Sequence, residues 1–275
     1  MSADAWLTVA RGNAPLLLSV PHGGTEIPAA LEARLHSAAR ARHDADWWVP
    51  QLYDFALQLG VTTVRTGISR TVIDVNRDPG GASLYPGQAT TELCPTTTFD
   101  GEPLYLPGNE PDAAEIAARR AQFYDPYHAA LAAELERLRA LHGVVVLYDA
   151  HSIRSRVPRL FDGQLPIFNI GTHSGASCAA PLAAAIESIC AATGHAYVSN
   201  GRFRGGYITR HYGRPERGVH AVQMELACRS YLREPDGALG PENWPVPYDP
   251  SYAAPIRAVL NQVLQQCLQF ALHPA

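Results

Sequence analysis

Short apolar runs and amphipathic stretches follow one another along the chain, a pattern that predicts strands and helices in turn. Leu16–Val20, apolar but for Ser19, and the apolar run 144–147 are as expected of strands covered on both faces. Residues 46–59 put Trp48, Leu52, Phe55 and Leu59 three and four apart, which predicts a helix with Pro50 in its first turn. Further strands are expected at 61–65, 71–75, 165–170, 196–199 and 220–226. Helices are expected at about 112–141, 178–193 and 252–272. Residues 78–111 are rich in proline and glycine and have no periodicity, so they read as a functional loop, a lid or rim. Alternating strands and helices without a repeat or composition break predict one α/β domain over residues 1–275.

Composition narrows the function. A net charge of −4 and a pI near 6.2 give no electrostatic case for nucleic acid or an anionic membrane. The start, Met1-Ser2-Ala3-Asp4-Ala5-Trp6, lacks the basic and apolar regions of a signal peptide, so a soluble, cytoplasmic protein is expected. The five cysteines are scattered with no CxxC pair, which disfavours a disulfide framework or a zinc knuckle. All 22 basic residues are arginine, suited to bidentate grip of carboxylates.

The chemistry concentrates at the carboxyl ends of three expected strands. His22 precedes Gly23-Gly24 after the first, Asp149 and His151 follow the second, and Glu225 closes the third. Parallel strands deliver such residues to one crevice. A single strand-end histidine more often holds a carbonyl than a metal. Two of them with a carboxylate point to a divalent ion, with one position left for water. The third ligand is expected among Asp46, Asp44 and Glu26. Asp46 is preferred because it opens a helix whose N-terminus faces the crevice. Zinc suits this donor set, as do Fe(II), Co(II) and Mn(II). Glu225 is the candidate general base, since a carboxylate buried among apolar residues needs a metal or an arginine beside it. Candidate substrate-binding residues are Arg70, Asn76, Arg77, Arg154, Arg202 and Arg204, which cluster near the expected strand ends.

The ordered segments PHGGTEIP, DADWW, SRTVIDVNR, YDAHSIRS, FNIGT, NGRFRGGYITRHYG and AVQMELACRSYL resemble the N-formylglutamate amidohydrolase family from about Leu16 to Leu232. The resemblance implies hydrolysis of N-formyl-L-glutamate to formate and L-glutamate, the last step of one histidine-degradation route. It also implies a three-layer α/β/α fold with a mixed, mostly parallel sheet, similar to zinc carboxypeptidases. By position, His22 and His151 match metal ligands, Glu225 matches the catalytic glutamate, and Asn76-Arg77 resembles a pair that grips a substrate carboxylate. Carboxypeptidases place their ligand glutamate three residues after the first histidine, where this chain has Thr25. Two other readings remain. One is a different N-acyl amino acid deacylase or a cell-wall amidase on the same scaffold. The other is a metal-free binding protein on an inherited hydrolase fold.

Overall fold

The computed structural model describes residues 6–83, 87–237 and 239–273. Its strands are β1 (Leu7–Ala10), β2 (Leu16–Val20), β3 (Thr62–Thr66), β4 (Val145–Ile153), β5 (Phe168–Gly171), β6 (Tyr197–Ser199) and β7 (Val219–Ala227). They form one sheet in the order β1-β3-β2-β4-β7-β5-β6. The central four, β3, β2, β4 and β7, are parallel. Antiparallel pairing enters at β1 with β3 and at β5 with β7, and β6 is parallel to β5. The sheet is thus mixed and mostly parallel, as expected.

Side chains alternate between the two faces of a strand, and each face carries its own core. Leu17, Val145, Leu147 and Ala221 pack against Tyr127, Leu131, Leu135 and Leu138 of the helix Asp125–His142. On the other face, Leu16, Leu18, Val146, Tyr148, Val222 and Met224 meet two helices, Ala180–Ala192 and Pro250–Leu272. Each large apolar side chain so enclosed contributes about 1.5–3 kcal/mol. The layers are α/β/α in a single domain.

Where the elements depart from expectation, the backbone gives the reason. β4 continues through Asp149 and His151 to Ile153, every residue buried, because its upper half faces a polar centre rather than the apolar core. The expected helix over 46–59 is broken. Trp48 takes a left-handed φ of 64°, leaving a short helix Val49–Leu52 and a 3-10 turn Asp54–Leu59. Residues 71–75 form turns, not a strand, with Thr71 Oγ1 donating to Ala41 O at 2.6 Å and Asp74 N–H to Leu93 O at 2.7 Å. The helix expected over 112–141 is Ala113–Arg119 and Asp125–His142 joined by a π turn, Arg120–Tyr124. β1 has no counterpart in the expected pattern. The described part of 78–111 holds no helix or strand and is pinned by isolated bridges, Leu35 with Tyr105 and Thr97 with Pro103. Among the described residues no helix is long and apolar enough to cross a membrane.

Candidate active site

The parallel strands bring the expected residues together at their carboxyl ends. His22 lies two residues beyond β2, in a turn that only glycine permits. A Cβ on Gly24 would sit 2.4 Å from the Gly67 carbonyl carbon. Asp46 reaches the same place through its backbone, whose N–H donates to His22 O at 3.0 Å. The helix N-cap is Trp48, so Asp46 sits in the preceding turn and its carboxylate does not cap the helix. His151 and Glu225 are register partners on β4 and β7.

His22, Asp46 and His151 present donor atoms that all lie within 4.8 Å of one another. His151 Nδ1 is 3.1 Å from Asp46 Oδ2. His22 Nδ1 is 3.8 Å from the same oxygen and, although buried, has no hydrogen-bond partner. The far nitrogens are both taken by aspartates. His22 Nε2 is 2.7 Å from Asp74 Oδ1, and His151 Nε2 is 3.0 Å from Asp149 Oδ2 and equally close to Asn76 Nδ2. On His22 the Asp74 carboxylate at Nε2 fixes the tautomer that aims the Nδ1 lone pair inward, whereas His151 Nδ1 carries a proton toward Asp46 that a metal would displace. Both aspartates are themselves held. Asp74 accepts from Arg70 at 2.7 Å and from the Asn76 N–H at 2.9 Å. Asp149 accepts from Ser19 Oγ at 2.8 Å and from Asn76 Nδ2 at 3.2 Å, and Ser19 in turn meets Tyr127 OH.

Charge in this centre is unbalanced. Asp46, Asp74, Asp149 and Glu225 are buried, and the cations among them are Arg70 and, at 3.8 Å from Asp74, Arg77. With all four carboxylates ionised and both histidines neutral, as metal binding requires, two guanidiniums leave a deficit of two positive charges, which protons on His151 and Glu225 otherwise fill. The titrating groups respond accordingly. Burial disfavours the His151 cation, yet Asp149, then Asp46 and Glu225, raise its pKa well above the usual value. Burial pushes Glu225 up to about 8, against the opposing effect of His151. Burial and the nearby Arg70 lower His22. Burial would raise Asp74, but His22, Arg77 and Arg70 hold it well below the carboxylate range.

A cavity of about 60 Å³ opens onto His22, His151 and Glu225. Arg70, Arg77 and Arg202 line it, together with Asn76 and the 89–91 segment. Arg70 is committed to Asp46 and Asp74 and lies over the Phe99 ring at 4.7 Å. Asn76 turns its amide nitrogen to Asp149 and His151 Nε2, and its oxygen to the Ile208 N–H. Arg77 donates to Thr91 O at 2.9 Å, and Arg202 to Ala89 O at 2.7 Å, so both hold the rim of the loop. Arg154 is not brought to the cavity, since Asp44 and Asp100 receive it at 3.1 and 2.7 Å. Arg204 is exposed and donates to Gly201 O. Of the other ligand candidates, Asp44 accepts from Arg154 and the Phe99 N–H, and Glu26 is exposed beside Ile68. His43, Asp44 and Asp100 form a second cluster of metal-type donors.

Sequence reasoning assigned no role to Asp74, Asp149 or Gln223. Each stands two residues before a residue it did single out: Asn76, His151 and Glu225. On a strand that spacing means a shared face, and β4 and β7 show it directly.

Comparison with known proteins agrees with this architecture. The pattern of the N-formylglutamate amidohydrolase family matches residues 14–232. Two proteins named N-formylglutamate deformylase are similar over 96% of this chain. One, from Pseudomonas aeruginosa, is 49% identical and matched over 97% of its own length. The other, from Pseudomonas putida, is 47% identical and matched over 96%. The fold is shared with a crystal structure of N-formylglutamate amidohydrolase from Ralstonia eutropha at 24% identity and a TM-score of 0.77, covering 97% of each chain. A gene product from Agrobacterium tumefaciens shares it at 18% identity and a TM-score of 0.71, covering 98% of this chain and 96% of that one. The family pattern over residues 14–232 and the two relatives at 47–49% identity place it: the chain belongs to the N-formylglutamate amidohydrolase family.

Proposed function

We propose that the protein hydrolyses N-formyl-L-glutamate to formate and L-glutamate, using one divalent metal ion at His22, Asp46 and His151 and Glu225 as general base. The observation that carries the metal is the buried, unpartnered Nδ1 of His22, aimed at Asp46 while Asp74 occupies Nε2. A lone pair left so would cost desolvation without return, and a cation removes that cost. A dication also makes up the missing charge. Its donor set of two imidazole nitrogens and one carboxylate suits zinc, and Fe(II), Co(II) or Mn(II) as well. The bound ion supplies Lewis acidity and an ionised water near neutral pH.

The remaining roles fall to side chains. Glu225 takes the proton of the attacking water and passes it to the departing nitrogen. Arg77 and Arg202 line the cavity on the rim side and grip the substrate carboxylates. Arg70 and Asn76 act on the metal side, bracing Asp46, Asp74 and Asp149. Arg154 and Arg204 then brace loops. The preference expected for formyl over acetyl or succinyl follows the relatives' names. The substrate identity rests on the relatives' names, and with it the place at the end of a histidine-degradation route. Five buried free thiols suit the reducing cytoplasm.

The test is formate release from N-formyl-, N-acetyl- and N-succinylglutamate by the purified protein, before and after chelation and metal return. Formyl-selective, chelator-sensitive turnover supports the reading. Full activity in metal-free protein, or a preference for the larger acyl groups, refutes it.

A further inference from the structure

Gln223 is buried on β7 and lines the cavity, two residues before Glu225 and on the same face. Its amide has one orientation. The Gly206 N–H donates to Gln223 Oε1 at 2.7 Å, so the amide nitrogen must face the other way, and it donates to Glu225 Oε2 at 3.2 Å. Gly206 is fixed in turn. A Cβ there would lie 2.4 Å from Asn76 Nδ2, so the chain can pass this close to Asn76 only as glycine. Asn76 is oriented in the same manner, its Oδ1 taking the Ile208 N–H at 2.8 Å and its amide nitrogen turned toward Asp149. Two carboxamides therefore read the backbone of 206–208 from two sides. One presents its NH2 to the aspartate behind His151, the other to Glu225.

We infer that Gln223 is a positioning residue for Glu225, its amide set by the Gly206 N–H so that one Glu225 oxygen is held and the other is left for the attacking water. This rests on the reading of Glu225 as general base. A carboxylate with one oxygen tied cannot swing away from the reacting water, and a misplacement near 1 Å costs on the order of 10²-fold in rate. Gln223 does this without adding charge to a centre already rich in carboxylates.

Gln223→Met removes donor and acceptor at similar volume. Gln223→Glu keeps the acceptor for Gly206 and loses the donor to Glu225. With both, kcat for N-formylglutamate is expected to fall about 10²-fold while KM and bound metal per chain stay at the wild-type value. In a Glu225→Gln background, Gln223→Met should cost almost nothing more, because residues acting as a unit are not additive. If Gln223→Met does not fold, Gln223→Glu decides alone. Wild-type kcat in Gln223→Glu would show that only the Gly206 contact matters and would overturn the inference. So would a loss carried wholly by KM, or an equal loss with and without Glu225. Wild-type turnover of Glu225→Gln itself would remove the base assignment, and this inference with it. An inactive Glu225→Gln beside unimpaired Gln223 variants would remove this inference alone.

Discussion

Two clusters in this molecule carry the same kinds of donor and differ in what completes them. His22, Asp46 and His151 are all buried, and their carboxylates outnumber the guanidiniums around them. His43, Asp44 and Asp100 lie nearer the surface, and Arg154 sits between the two aspartates at 3.1 and 2.7 Å. In the second cluster the protein supplies its own cation. In the first, one imidazole nitrogen has no partner, and each histidine is backed by an aspartate. Donor type and spacing alone do not separate the two. Charge balance and the far side of each ring do.

The largest expected effect separates the two clusters. His22→Ala or His151→Ala should reduce formate release to background, whereas His43→Ala should keep most of it. Glu225→Gln should keep the metal and lose about 10²–10⁴-fold in kcat. Loss of turnover in His43→Ala equal to that in His151→Ala would erase the distinction.

Next comes the cation of the second cluster. Arg154→Met leaves the half-buried Asp44 with only the Phe99 N–H, a change worth about 1.5–3 kcal/mol. Urea unfolding should report a loss of that order, partly recovered by added divalent cation taking the guanidinium's place. Unchanged stability would mean that Arg154 does not balance this cluster.

A smaller effect probes the aspartates behind the rings. Asp149→Asn should weaken metal binding about 10–100-fold by removing the acceptor for His151 Nε2. Competition with a chromogenic chelator measures it, and wild-type affinity would contradict the role given to Asp149.

The smallest involves a third kind of histidine, one fully satisfied by the protein. His128 Nε2 lies 2.8 Å from Val75 O and Nδ1 2.9 Å from Tyr212 OH, and burial lowers its pKa to about 4. Between pH 6.5 and 4 the unfolded chain therefore binds a proton that the folded chain refuses. Stability from this source is complete above that window and is lost as pH falls through it, by about 2 kcal/mol for a half-buried ring. The difference in urea midpoint between wild type and His128→Gln should narrow from pH 7 to pH 4.5. A constant difference would refute the assignment.

What the sequence made legible follows from the same physics. Strands enclosed on both faces are mostly apolar, so β2, the lower half of β4 and much of β7 could be read directly despite Ser19, His220 and Gln223. His22, His151 and Glu225 were legible because parallel strands share one end. Asp46 was reached for a partly mistaken reason. It belongs to the site through its N–H to His22 O, and the helix starts later because Trp48 turns left-handed. Residues 71–75 alternate like a strand, yet their polar members serve the centre, so Asp74 stayed hidden behind a wrong element. Arg154 could not be told from Arg77 by type or spacing, because which carboxylate an arginine meets depends on the path of the 78–111 segment.

One dication at His22, Asp46 and His151 is the central proposal, and a titration of chelated protein with Zn²⁺ tests it most directly. One equivalent should bind tightly to wild type and to His43→Ala, and none to His151→Ala. Binding should weaken as pH falls, because the proton that Asp149 and Asp46 hold on His151 competes with the ion. No tight site in wild type, two equal sites, or an unchanged site in His151→Ala would contradict it.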